Sequence, residues 1–317
     1  MLGFADTALC HRPNSTRPAR QLCSSHATEA SMPGTPMQII VLGMHRSGTS
    51  AVTRLVNMMG AYIGPEGSSL RPDPNNPRGY WEHMSFLRAN QQMLQFRGCT
   101  WFDVSRWDEA AAGPLPDRLR VTMASAVHQM DAHRPWVLKD PRFCVTLPEW
   151  TPWLGSAIAL VVARDPLEIA RSLERRHSIP ASYGVALWEY YAVGIVRNAI
   201  ALPRVFMSHD DLMAAPVDRS TRLLADLRAA GVPRLAPPAA TDIRSFIEPD
   251  LHRSRASEVS LRLTADQERL ESMLRGELDF DPGIAVSPES RTLISSMPPE
   301  IRAKFADLTQ YARKAGA

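Results

Sequence analysis

Apolar residues along the chain fall into two spacings. Short runs bounded by charges or turn residues come first to notice: Ile39-Ile40-Val41-Leu42, Trp136-Val137-Leu138, Ile158 to Val162, and Val205-Phe206-Met207. Their length and β-branched content predict strands of a parallel sheet buried on both faces. Between them the spacing changes to three and four. Val52, Leu55, Val56 and Met59 predict one helix, and Phe86, Leu87 and Leu94 another that begins near Glu82. Leu119, Met123, Val127 and Met130 mark a helix over Leu115 to His133, and Ile169 and Leu173 face inward on a helix begun by Pro166. Ser220 to Ala230 is a further amphipathic stretch, stopped by Gly231-Val232-Pro233. Strands alternating with helices predict an α/β fold: a central, mainly parallel sheet with helices on both faces, a three-layer sandwich.

The ends of the chain read differently. Residues 1–36 are dominated by Ser, Thr, Pro, Arg and Ala, with no hydrophobic periodicity and no apolar stretch of signal-peptide length, which predicts a disordered leader. The main domain is expected over 37–255. A helical extension over 256–317, with patterns near Thr264 to Leu278 and Pro298 to Lys314, is expected to pack on the same domain. Tyr183 to Leu202 is apolar enough and long enough to suggest a membrane span. Glu189, Arg197 and Asn198 interrupt it, so a buried core helix is expected and no membrane span.

Composition narrows the chemistry. The net charge of +3 is spread along the chain without a long basic block, which suits an anionic small ligand and does not call for a nucleic-acid partner. Cys10, Cys23, Cys99 and Cys144 form no CxxC pair and have no close His partners. They read as free thiols of a reducing compartment, and a cytoplasmic protein without a structural metal is expected.

Three strand ends carry candidate chemistry. After the first strand comes Gly43-Met44-His45-Arg46-Ser47-Gly48-Thr49-Ser50, then a helix. Strand, glycine loop and helix N-terminus together aim unpaired backbone N–H groups and a positive dipole end at one point, which attracts an oxyanion. The spacing is that of a P-loop, and a P-loop-like sandwich is the expected fold. Thr49 and Ser50 stand where a nucleotide-hydrolysing P-loop has Lys and Ser/Thr, and the cation is Arg46 inside the loop. A guanidinium there offers planar, bidentate recognition of a phosphate or sulfonate.

The second strand runs into Lys139-Asp140-Pro141-Arg142, at the sheet edge where open α/β folds bind ligands. The alternative is a solvated turn in which Asp140 pairs locally with Lys139 and Arg142. The third ends at Arg164-Asp165-Pro166, eight residues before Ser172. An Arg at the strand end and a Ser two turns along the helix can converge on one anion, or be a surface charge and a helix filler. Glu82, in Asn76-Pro77-Arg78-Gly79-Tyr80-Trp81-Glu82, reads either as a general base or as the first-turn acid of the helix beside it. Trp101, Phe102 and Trp107 either pack a loop on the core or line an acceptor pocket.

GMHRSGTS after a strand, VVARDPLEIARSL one strand later and FMSHDDLMAAP after that resemble the sulfotransferases that use 3′-phosphoadenosine 5′-phosphosulfate, PAPS. The resemblance spans roughly Met37 to Ser254, and NPRGYWE and WVLKDPR are most like the bacterial branch of that family. It implies that Arg46, Ser47, Gly48, Thr49 and Ser50 hold the 5′-phosphosulfate, with His45 beside them, and that Arg164 and Ser172 bind the 3′-phosphate. It implies transfer of a sulfonate to a hydroxyl or amine of a carbohydrate or small-metabolite acceptor, with Arg46 and Lys139 stabilising the transferring group and no metal. Cytosolic members carry a catalytic His in a Lys-Thr-His stretch whose counterpart here is Lys139-Asp140-Pro141, without a His. Other branches use a Glu after the first helix, which makes Glu82 the implied base and Asp140 the next candidate. The glycine-rich C-terminal stretch of cytosolic members is also missing, with the basic segment Leu251 to Arg255 in its place. The competing readings are a P-loop kinase or NTPase, which requires a loop Lys and a Mg²⁺-holding acid, and a nucleotide-binding homologue without turnover. Oligomeric state has no signature in the sequence.

Overall fold

The computed structural model of the protein describes residues 38–73, 76–107, 113–247 and 261–297. The leader expected over 1–36, the basic segment Leu251 to Arg255 and the helix expected over Pro298 to Lys314 lie outside the described residues.

The four apolar runs are four strands: β1 (Gln38–Leu42), β2 (Trp136–Lys139), β3 (Ala157–Ala163) and β4 (Arg204–Ser208). They form one parallel sheet in the order β2-β1-β3-β4. Every residue of β1, β2 and β3 is buried, which is why these runs are continuously apolar rather than alternating. Their side chains divide between two cores. Ile39, Val41, Ile158, Leu160 and Val162 face α1 (Thr49–Met58) and α8 (Pro216–Ala229), against Val52, Leu55, Leu223 and Leu227. Ile40, Leu42, Leu138 and Val161 face the other side, against α2 (Met84–Phe96), α3 (Asp117–Asp131), α4 (Phe143–Trp150), α5 (Pro166–His177) and α6 (Ala181–Asn198). The result is an α/β fold, helix layer on sheet on helix layer.

Glu189, the acid that interrupts the apolar Tyr183 to Leu202 stretch, is an attachment point. It is buried in α6 and accepts hydrogen bonds from Gln267 Nε2 (2.7 Å), Ser290 Oγ (2.7 Å) and Ser287 Oγ (3.1 Å). These donors lie at α10 (Ala265–Arg275) and α11 (Pro288–Ser295), so a carboxylate inside an apolar helix docks the C-terminal helices. Among the described residues no helix is long and apolar enough to cross a membrane.

Two local expectations are corrected. Glu82 is not a first-turn acid: α2 starts at Met84, and His83 caps it by accepting from the Ser85 N–H through Nδ1 at 3.3 Å. Lys139, Asp140 and Arg142 are not a solvated turn, since all three are buried. Phe143–Trp150, α4, was not expected. Six of its eight residues are buried and Pro148 interrupts it, so it lacks the polar face by which a helix is recognised.

Candidate active site

The chain runs from β1 out to β2 on one side and back to β3 on the other, so β1 stands where the strand order reverses. Register places Leu42 beside Val161, and Val41 beside both Leu160 and Lys139. The loop after β1, Lys139 to Arg142 after β2, and Arg164 after β3 therefore share one carboxyl edge, the ordinary ligand crevice of such sheets. His209, the first residue of α7 (His209–Ala214) after β4, joins them.

The loop turns sharply at two residues in the left-handed region, Arg46 (φ 74) and Gly48 (φ 84). At Gly48 only glycine fits: a Cβ there would lie 2.2 Å from Cδ2 of His209. At Arg46 the same conformation is strained, and it is held in place by partners. Arg164 Nη1 donates to the Arg46 carbonyl at 2.8 Å, while Arg164 Nε and Nη2 grip Glu168 Oε2 at 3.1 and 3.0 Å. Arg46 Nε in turn donates to Ser172 Oγ at 2.8 Å. Asp165 caps α5 by accepting from the Leu167 and Glu168 N–H groups, which fixes the helix that presents Glu168 and Ser172.

Beyond the loop, Ala51 and Val52 donate to the Gly48 carbonyl and Ser47 to that of Met44. The N–H groups of Gly48, Thr49 and Ser50 find no carbonyl among the described residues. Three donors at the start of a ten-residue helix thus converge with the helix dipole. Ser47 and Thr49 are buried in this floor, and Ser50 Oγ donates to the Tyr80 carbonyl at 3.2 Å.

Positive charge is concentrated here. Burial first, then the nearby Arg176 and Arg164, push the Arg46 guanidinium down to about 10. Arg176 donates to Tyr80 Oη, whose own proton goes to Asp73 Oδ2 at 2.8 Å. Burial, and next the bond to Asp73, push the Tyr80 phenol up to about 12, so it stays a neutral donor.

The two candidate bases are both engaged by cations. Lys139 Nζ donates to Glu82 Oε1 at 2.5 Å, with both side chains buried. Asp140 Oδ1 accepts from the N–H and Nη1 of Arg142 at 2.9 and 2.8 Å, and Oδ2 from Asn90 Nδ2 at 3.0 Å. Asn90 Oδ1 then accepts from Thr146 Oγ1 and Trp150 Nε1, which ties Asp140 into the packing of α2 on α4. His45 lies against Trp101 and Tyr191, with ring centroids 4.7 and 5.8 Å apart.

Arg46, Arg164 and Ser172 are thus in direct contact, while Glu82 and Asp140 sit in separate ion pairs. His209, Arg176 and Asn90 were not singled out from the sequence. His209 stood in view in Ser208-His209-Asp210-Asp211, where a helix start with flanking acids masks a ring packed on Gly48. A cavity of ≈ 400 Å³ opens elsewhere, lined by Tyr62, His83, Met130 and His133, and contains none of these loop residues. Among the described residues no three His, Cys, Asp or Glu side chains group as metal ligands would.

No family model matches the chain, and no curated protein matches it. Among solved structures it is similar to sulfotransferase STF9 from Mycobacterium avium, with 16% identity and a TM-score of 0.40 over 78% of each chain. It is also similar to the sulfotransferase domain of the Synechococcus PCC 7002 olefin synthase, with 16% identity and a TM-score of 0.36 over 83% of this chain and 94% of that one. A third likeness, to sulfotransferase STF1 from Mycobacterium tuberculosis H37Rv, has 16% identity and a TM-score of 0.38 over 77% of this chain and 78% of that one. At this identity and overlap the residues of this chain, not the likeness, carry the chemistry.

Proposed function

We propose that the protein is a sulfotransferase that moves a sulfonate from PAPS to a small-molecule acceptor. One observation supports the reading: the loop cation Arg46 bonds Ser172, while Arg164 holds the Arg46 backbone, so the loop and the strand-end pair stand close enough to share one anionic ligand. The donor set fits a ligand with two anionic ends. Crowded guanidiniums and three N–H groups without a carbonyl partner among the described residues favour phosphate and sulfonate oxygens, and no loop Lys is present to hold a nucleotide's γ-phosphate.

In this reading the N–H groups of Gly48, Thr49 and Ser50, with the Ser47, Thr49 and Ser50 hydroxyls, orient the 5′-phosphosulfate. Arg164 and Ser172 take the 3′-phosphate, giving up part of their present bonds to do so. Arg46 stands at the bridging oxygen and meets the charge that builds there as the sulfur–oxygen bond breaks. Lys139, held by Glu82, faces the equatorial oxygens of the transferring group. Catalysis is then mainly alignment and cationic stabilisation.

Thermal unfolding with adenosine 3′,5′-bisphosphate, beside ADP with Mg²⁺, tests this. A hundredfold excess over Kd stabilises the folded state by about 2.7 kcal/mol. Stabilisation by the bisphosphate is the expected result. A response to ADP with Mg²⁺ alone would replace the reading with a kinase or NTPase.

A further inference from the structure

We propose that the cavity beside β2 is a second ligand site, one that takes an uncharged, planar bicyclic heteroaromatic molecule through a hydrogen bond from His83 Nε2. The inference goes beyond the sulfotransferase reading and does not depend on it.

The cavity is built by the chain after α1. The Tyr62 N–H donates to the Pro135 carbonyl at 2.9 Å, and the Tyr62 carbonyl accepts from the Val137 N–H at 2.8 Å. Tyr62 thereby adds one residue of parallel strand to the free edge of β2, beside Trp136. Trp136 is the first residue of β2 and Lys139 the last. The cavity thus belongs to the amino end of the strand and the anion site to the carboxyl end. Tyr62 lines one part of it. Met130, at the end of α3, with Ala132 and His133 just beyond, lines another, and His83 completes the lining.

The lining selects the ligand. A volume of ≈ 400 Å³ is that of a small-molecule site. The Tyr62 and His133 rings lie 4.3 Å apart, centroid to centroid, at 35°, and a flat aromatic ligand stacks on such faces. Among the described residues no Asp, Glu, Lys or Arg lines the cavity, so a charged ligand would enter without a counter-charge.

His83 supplies the polar anchor. It is 8% exposed, and its ring is fixed: Nδ1 accepts from the Ser85 N–H at 3.3 Å, and Phe86 meets it edge to face at 5.5 Å. Gly64, at φ 107, lets the chain pass this ring, since a Cβ there would lie 2.4 Å from His83 Cδ2. Burial lowers the pKa of His83, so the ring is neutral at pH 7. With Nδ1 an acceptor, the proton of the neutral ring is on Nε2. Nε2 has no hydrogen-bond partner among the described residues. A donor so placed is costly until something supplies the bond, and a ring nitrogen of a stacked heteroaromatic does so.

The test uses three probes of one shape on the full chain at pH 7. Isoquinoline has the acceptor nitrogen, naphthalene lacks it, and N-methylisoquinolinium replaces its lone pair with a positive charge. Imidazole ¹⁵N–¹H spectra locate the probe and ligand-observed saturation transfer gives affinities. His83→Asn assigns the signal; it removes the ring and keeps a side chain that caps α2. Ala132→Phe narrows the cavity from an exposed position and leaves His83 in place. Isoquinoline is expected to shift the His83 Nε2–H signal and to bind about three- to tenfold tighter than naphthalene. His83→Asn is expected to abolish that preference, and Ala132→Phe to weaken both probes. A His83 signal indifferent to isoquinoline, equal affinity for isoquinoline and naphthalene, or tighter binding of the cation overturns the inference. So does binding unchanged in both variants, or a shift at His45 or His209 in place of His83.

Discussion

Arg46 Nε and Ser172 Oγ, 126 residues apart in the chain, meet at 2.8 Å across the carboxyl edge of the sheet. The contact joins the loop after β1 to the helix after β3. In the proposed reading, a phosphate taken by Ser172 would therefore be sensed directly by the loop cation. Ser172→Ala removes the acceptor and leaves a half-buried guanidinium N–H unpaired, so a loss of about 1 kcal/mol in stability is expected by denaturant titration. Arg46→Lys keeps the charge but loses the planar fork, and at least a tenfold loss of bisphosphate affinity by calorimetry is expected.

Glu82 and Lys139 act as a unit. Removing one partner of a buried ion pair strands the other, so Lys139→Met is expected to cost about 3–5 kcal/mol. The double variant Lys139→Met/Glu82→Leu is expected to recover most of that loss. A loss in the double equal to the sum of the losses in the two singles would mean that the pair is not coupled.

Gly48 faces a double constraint, a left-handed backbone and a ring in contact. Gly48→Ala brings a Cβ within 2.2 Å of His209 Cδ2, and a loss of at least about 1 kcal/mol is expected from backbone strain alone. His209→Ala in the Gly48→Ala background relieves the overlap but not the strain, so stability is expected to return only in part.

β1, β2 and β3 were legible because burial on both faces leaves no polar alternation to confuse the reading, whereas β4 alternates between buried and half-buried residues. The nearness of Arg46, Arg164 and Ser172 was implied only by the resemblance, which gives all three to one cofactor; spacing alone left Arg164 and Ser172 open as a surface charge and a helix filler, and the neighbouring of β1 and β3 is a finding of the fold. Partner choice was not legible. Glu82 and Lys139 lie 57 residues apart, and Asn90 and Asp140 lie 50 apart; nothing local in either stretch says which charge meets which. The same holds for His45, whose aromatic frame comes from the Trp101 loop and from α6. Such contacts are set by tertiary packing, which periodicity and spacing do not encode.

Asp131 offers a pH test away from the site. Burial alone would raise its carboxyl, but hydrogen bonds from Arg134, Gln38 and Trp136 outweigh that and hold it below its ordinary value of 3.8. A depressed folded-state pKa contributes stability that is complete above the unfolded value and disappears as pH falls through the folded one. The stability gap between wild type and Asp131→Asn is therefore expected to be constant at neutral pH and to shrink below 3.8. A gap that widens on acidification would contradict the assignment.

The central claim is that Arg46, Arg164 and Ser172 form a site for both anionic ends of one ligand. Calorimetric titration of adenosine 3′,5′-bisphosphate against adenosine 5′-monophosphate tests it most directly, in the wild type and in Arg164→Ala. Charge-assisted bonds to the 3′-phosphate predict about ten- to a hundredfold tighter binding of the bisphosphate, a preference that Arg164→Ala abolishes. Equal affinity for the two ligands in the wild type would contradict the account.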